Sequence, residues 1–106
     1  MTFQLGSALL DACVLASLYK EDAYGYRLTQ EVKVVMNVSE STLYPVLRRL
    51  MKEGFLETYD QQHMGRNRRY YRLTEAGKQQ YEEYVVEWKD FSSKVTTILE
   101  GGAKNE

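Results

Sequence analysis

Arg48, Arg49, Lys52, Arg66, Arg68, Arg69 and Arg72 place half of the chain's 14 arginine and lysine residues within residues 44–73, opposed there by Glu53, Glu57 and Asp60 alone. Guanidinium and ammonium groups at this density are suited to one chemistry above others. They bind phosphate, and an arginine also meets the edge of a guanine with two parallel donors. The segment carries a surplus of four positive charges within a chain of net charge −1, so the remaining residues sum to −5. A balance so near neutral argues against nucleic acid when taken as a whole, but distribution decides. A basic face on an acidic body repels DNA everywhere except at the patch, which orients the encounter.

Other chemistry is poorly supplied. His63 is the only histidine and lies in a polar stretch far from Cys13, the only cysteine, so the three or four closely spaced ligands of a zinc site are missing. The serines have no neighbouring base, the carboxylates spread along polar helix faces, and no glycine-rich phosphate loop occurs. The sequence predicts neither an enzyme nor a bound cofactor or metal. Cys13 sits among Leu9, Leu10, Ala12 and Ala16, as a buried structural thiol does.

The elements that must carry the cations follow from periodicity. Leu43, Val46, Leu47, Leu50 and Met51 form one face of a helix ended by Gly54, which leaves Ser41, Thr42, Tyr44, Arg48 and Lys52 outward. Ser39 or Ser41 caps this helix. Pro45 prefers a first turn because its ring clashes with the carbonyl four residues back, so regular helix is expected from about Ser41. Phe55–Tyr59 and Arg69–Leu73 read as two short strands joined by a polar loop, with Gly65 and Asn67 as turn formers and a cationic, flexible tip. Upstream, Leu5, Ala8, Leu9, Ala12, Leu15, Ala16 and Tyr19 make the stripe of a first helix over about residues 6–20. A second helix begins at Gly25, buries Leu28, Val32, Val35 and Met36 and stops at Asn37. The connection of Asn37, Val38 and Ser39 is short enough to force a helix-turn-helix crossing. Short helices followed by a basic hairpin predict a winged helix.

After Thr74, a natural cap, and Glu75, Tyr81, Tyr84, Trp88, Phe91, Val95 and Ile98 recur at spacings of 3, 4, 3, 4 and 3. Such a repeat marks helices meeting along a narrow seam, and a helix of about 24 residues outreaches so small a domain. The expected fold is therefore mainly α with a small β part (α+β): a winged helix-turn-helix with a two-stranded wing over residues 1–73. A long C-terminal dimerisation helix follows over 74–100, then a frayed tail over 101–106. Hydrophobic residues at 43% and charged residues at 27% fit one compact domain, and no apolar run approaches the roughly 20 residues of a membrane span. The N-terminal stretch has no basic head and is broken by Asp11 and Ser17, so no signal peptide is predicted and the cytoplasm is the expected compartment.

Several blocks, in order, carry a resemblance: Tyr24-Gly25-Tyr26-Arg27-Leu28, the run from Ser41 to Leu50 including Tyr44-Pro45, Glu53-Gly54-Phe55-Leu56, and Arg68-Arg69-Tyr70-Tyr71-Arg72-Leu73-Thr74 with Gly77. From about Leu5 to about Leu99 the chain resembles the PadR family of bacterial transcriptional regulators, and its single long helix after the wing resembles the small subfamily. The resemblance implies a repressor that binds operator DNA as a homodimer through its C-terminal and first helices, with an aromatic or hydrophobic small molecule as a candidate effector. It assigns recognition to Ser41, Thr42, Tyr44 and Arg48, and the wing contact to Arg66, Arg68 and Arg69. Arg49 and Lys52 complete the exposed helix face, and Tyr26 and Arg27 at the start of the second helix can meet a phosphate or, for Tyr26, pack. The expected dimer interface comprises Leu5, Leu9, Ala12, Tyr84, Trp88, Phe91, Val95 and Ile98. Trp88, Phe91, Leu9 and Cys13 are the candidate ligand pocket. A winged adaptor that joins a protein partner is the competing reading, and it has no use for cations at the wing tip.

Overall fold

The computed structural model describes residues 7–101. Leu5 and residues 102–106 of the expected tail lie outside the described residues. Helix α1 (Ser7–Lys20) is followed by a two-residue strand β1 (Ala23–Tyr24), α2 (Gly25–Met36), α3 (Glu40–Lys52), strands β2 (Leu56–His63) and β3 (Arg66–Leu73), and the long α4 (Glu75–Leu99). The sheet order is β1-β3-β2, antiparallel throughout. One face of each of the first three helices meets the inward side of the sheet in a core of Leu10, Val14, Leu15, Leu18, Leu28, Val32, Leu43, Leu47, Leu50, Leu56 and Leu73. The fold is a mainly helical winged helix, as the periodicity predicts.

Local chemistry sets the joints. Asn37 ends α2 in the left-handed conformation (φ 55°) with its amide donating to the Lys33 carbonyl. The Ser39 hydroxyl caps α3 by accepting from the Thr42 amide at 3.3 Å, so the helix begins at Glu40, one residue before the expected start, and Pro45 lies in its second turn. That position is tolerable because Ser41 and Pro45 are both exposed, and water can satisfy the carbonyl that the proline leaves without an amide. Val35, expected in the buried stripe of α2, is 73% exposed at the helix end.

The hairpin departs furthest from expectation. Both strands are eight residues long, and Met64 (φ 54°) and Gly65 (φ 78°) alone make a tight turn with positive φ at both positions. Asn67 is not a turn residue; it pairs with Gln62 in the ladder. The tip is a continuation of regular sheet. The wing keeps its two strands, and a third joins the sheet, because Ala23 and Tyr24 pair with Tyr71 and Tyr70 and tie the wing to the start of α2.

The first turn of α4 is fastened to the α3–β2 junction. The Thr74 amide donates to the Phe55 carbonyl at 3.1 Å, its hydroxyl donates to the Gly54 carbonyl at 2.6 Å, and the same oxygen caps α4 by accepting from the Gly77 amide at 3.0 Å. From there α4 crosses α1, where Tyr81 stacks on Tyr19 with ring centroids 4.4 Å apart.

Candidate nucleic-acid interface

Helix α3 buries Leu43, Leu47 and Leu50, and the opposite stripe of Ser41, Pro45, Arg48 and Lys52 faces solvent. One flank of that stripe carries Thr42 and Arg49, the other Tyr44. Arg49 bends toward the body of the protein: it donates to Asp11 of α1 at 2.6 Å and lies 3.4 Å from Glu53. The Asp11 side chain is only 8% exposed, and burial pushes its carboxyl above the ordinary 3.8 despite Arg49, with Glu53 adding to the rise and a hydrogen bond from Tyr84 opposing it. The same contact raises Arg49. Arg49 thus clamps α3 to α1, a structural engagement that separates it from the other candidate DNA residues.

The Tyr44 flank borders a notch of about 280 Å³ lined by Tyr24, Gly25, Tyr26, Tyr44, Arg68, Arg69 and Tyr71. Four of the predicted residues, from α2, α3 and the wing, meet there. Gly25 forms part of its floor, where a Cβ would lie 3.5 Å from both the Tyr44 hydroxyl and the Tyr71 ring, at ordinary contact distance. Tyr24 precedes α2 with no side-chain cap, so the first amides of that helix are not claimed by a capping side chain. The Tyr71 phenol is pushed up by burial and by Tyr44, while Arg69 and Arg48 pull it down, which puts cations from the wing and from α3 within range of one ring.

Pairing sorts the cations. Arg27 lies 2.8 Å from Glu21 and 3.3 Å from Glu31, Arg69 lies 3.6 Å from Asp60, and Arg72 lies 2.9 Å from Glu57 and over the Tyr59 ring. Arg72 is held within the sheet by Glu57 and Tyr59, and Arg27 is spent on its own surface. Among the described residues, Arg48, Lys52, Arg66 and Arg68 have no carboxylate at ion-pairing distance. These four form an uncompensated basic surface spread over α3 and the wing.

A second feature lies between α1, the end of α2 and α4. It is an apolar cavity of about 530 Å³ lined by Leu9, Ala12, Cys13, Ala16, Val35, Met36, Tyr81, Tyr84, Val85 and Trp88. Burial pushes the Cys13 thiol and the Tyr84 phenol up, so both stay protonated. Phe91 does not line this space, but its ring lies 6.3 Å from that of Trp88. Of the expected lining, Leu9, Cys13 and Trp88 are present, and Ala12, Ala16, Val35, Met36, Tyr81, Tyr84 and Val85 join them. Val35 and Met36 were assigned to the core because their spacing continues the buried stripe of α2, and nothing local shows that α4 stops short of covering them.

A model of the transcriptional regulator PadR-like family matches residues 14–83, the stretch from α1 through the wing into α4. The chain belongs to this PadR-like family of transcriptional regulators. Solved structures resemble it over most of its length. A crystal structure from Streptococcus mutans UA159 is 39% identical with a TM-score of 0.87, covering 95% of each chain. A PadR-like transcriptional regulator from Bacillus cereus is 33% identical, with a TM-score of 0.81 over 86% of this chain and 91% of that one. Bacillus subtilis PadR, solved in complex with operator DNA, is 28% identical with a TM-score of 0.64, over 74% of this chain and 46% of that longer one. Among the described residues of this PadR-like regulator no helix is long and apolar enough to cross a membrane.

Proposed function

We propose that the protein is a homodimeric transcriptional repressor that binds a near-palindromic operator, inserting α3 into the major groove and laying the wing on the sugar-phosphate backbone. The observation that carries this reading is the uncompensated set Arg48, Lys52, Arg66 and Arg68. A folded protein tolerates unpaired like charges on one surface at a cost, and a polyanion relieves it. Ser41, Thr42, Tyr44 and Arg48 are the base-facing candidates, and Arg66, Arg68, Arg69 and the amides at Gly25 and Tyr26 the phosphate-facing ones. The Bacillus subtilis relative was solved in complex with operator DNA, which supports operator binding here. An adaptor would leave the cationic surface without a task.

The dimer reading rests on the far half of α4. Trp88 is 41% and Ile98 78% exposed, and the radius of gyration is 16.2 Å, against about 13 Å for a compact 100-residue domain. The helix extends beyond its own core, and a second copy covering Trp88, Phe91, Val95 and Ile98, together with Leu9 and Ala12 of α1, would close the apolar cavity. An aromatic effector would occupy that space beside Trp88 and Cys13, and the cytoplasm would be the working compartment.

The test is binding to the duplex upstream of the protein's own coding region over a salt series. Replacing Arg66 and Arg68 by Ala should weaken binding to operator and random DNA alike, and lower the slope of log affinity against log salt by about 0.9 per lost phosphate contact. Unchanged affinity and slope in the double variant would remove the wing from the interface.

A further inference from the structure

Three of the four arginines of β3, Arg68, Arg69 and Arg72, are held in two different ways. Arg69 and Arg72 lean on carboxylates, at 3.6 Å from Asp60 and 2.9 Å from Glu57, and Arg72 also lies over the Tyr59 ring. The guanidinium carbon of Arg68 instead lies 4.4 Å from the centre of the Tyr24 ring, and its Nε is buried with no hydrogen-bond partner. Tyr24 is itself fixed. It is strand-paired to Tyr70, meets that ring edge-on at 5.6 Å, and has the His63 ring 5.7 Å away. The Tyr70 ring in turn stacks on Tyr59 at 5.5 Å, and the Tyr59 hydroxyl donates to Asp22 at 2.6 Å. A row of rings therefore crosses the sheet and ends under Arg68.

The two kinds of support have different consequences for an anion. A carboxylate orients a guanidinium but neutralises it and occupies its donors, whereas an aromatic face orients the plane and leaves both charge and the Nη donors available. Arg68 is thus ordered before any ligand arrives, at the wall of the notch it shares with Arg69, Tyr44 and Gly25. We propose that Tyr24 is a positioning residue: its ring pre-sets the Arg68 guanidinium so that the fork takes one phosphodiester group of duplex DNA seated at this notch. The inference deepens the DNA-binding reading above and rests on it. Arg68 makes the contact, and Tyr24 acts through Arg68 alone.

The experiment compares the wild-type protein, Tyr24→Phe, Tyr24→Leu, Arg68→Lys, Arg68→Ala and the Tyr24→Leu/Arg68→Ala double variant on a random-sequence duplex over a salt series, with thermal unfolding of each. Tyr24→Phe keeps the stack and should bind as wild type. Tyr24→Leu should lose affinity and reduce the salt slope toward that of Arg68→Ala, which lacks one contact, by about 0.9. The double variant should bind no more weakly than Arg68→Ala. A purely structural tyrosine would lower stability, leave the slope unchanged and add its loss to that of Arg68→Ala; that pattern overturns the proposal. Should Tyr24→Leu not fold, Arg68→Lys decides, because lysine keeps the charge without the stacked plane and binding equal to wild type would show that the ring does nothing. If Arg68→Ala lowers the slope while Tyr24→Leu does not, only the positioning role falls. If Arg68→Ala matches wild type, the wing contact falls with it.

Discussion

At the scale of single residues, neighbouring cations on α3 have different surroundings: Arg49 is held by Asp11 and Glu53, and Arg48 faces solvent. Arg48 is exposed, unpaired and on the outward stripe of α3. Arg48→Ala should cost roughly 1–3 kcal/mol on the operator if it meets a base edge and much less on random DNA, as gel shift or anisotropy would read; equal losses on both would move Arg48 to the backbone. Asp11 allows a prediction of opposite character. Burial raises its carboxyl above the unfolded value near 3.8, so between those two values the native state holds more protons than the unfolded chain and stability falls as pH rises. Relative to Asp11→Asn, the wild type should gain unfolding free energy as pH drops from neutrality into that window, and a flat difference in denaturant titrations would mean that Arg49 offsets the burial fully. The outward position of Arg48 was legible in the helix stripe, whereas the pairing of Arg49 with Asp11 was not. Arg49 and Arg48 are adjacent in sequence and alike in chemistry, and only the approach of α1, 38 positions away, assigns one to a carboxylate and leaves the other free.

At the scale of elements, the presence of the basic hairpin was legible, and the length of its strands and the place of its turn were not. The stripe of α3 follows its apolar spacing because burial on one face decides it, whereas α1 buries Leu10, Val14, Leu15 and Leu18, a face that shares only Leu15 with the expected stripe because apolar residues surround most of that helix. The turn was misplaced because methionine rarely adopts the left-handed conformation that Met64 takes, so Gly65 and Asn67 read as a longer loop. Strand β1 was invisible for another reason: two residues have no periodicity, and only pairing with Tyr70 and Tyr71 makes them a strand. Gly77 shows how one absent side chain joins two elements. A Cβ there would come within 2.1 Å of the Phe55 carbonyl oxygen, in the junction that also receives the Thr74 amide. Gly77→Ala should destabilise the protein by roughly 3 kcal/mol or more, by calorimetry or denaturant unfolding, because backbone must move to admit the methyl group. A near-neutral result would show that α4 can lift off the hairpin freely.

At the scale of the whole molecule, the chain resolves into a basic reading surface and an apolar helix that outruns its own core. Phe91→Asp with Val95→Asp should convert a dimer into a monomer or an unfolded chain by sedimentation, and the wild-type melting temperature should rise with protein concentration. A double variant that stays dimeric would place the interface elsewhere. Planar aromatics titrated against the protein should perturb Trp88 fluorescence, and those that do should change DNA affinity, since an effector acts only through unequal affinities for two states. Quenching that leaves DNA binding unaltered would make Trp88 interface core alone. The fastening of α4 at Thr74 and Gly77 gives such coupling a mechanical form. A helix of 25 residues is about 37 Å long, so with its root fixed to the wing hairpin a tilt of about 5° at the seam would swing each reading head by about 3 Å. Half-sites one turn of DNA apart tolerate little error in that span, so the α4 pair would work as a lever whose angle gauges the operator.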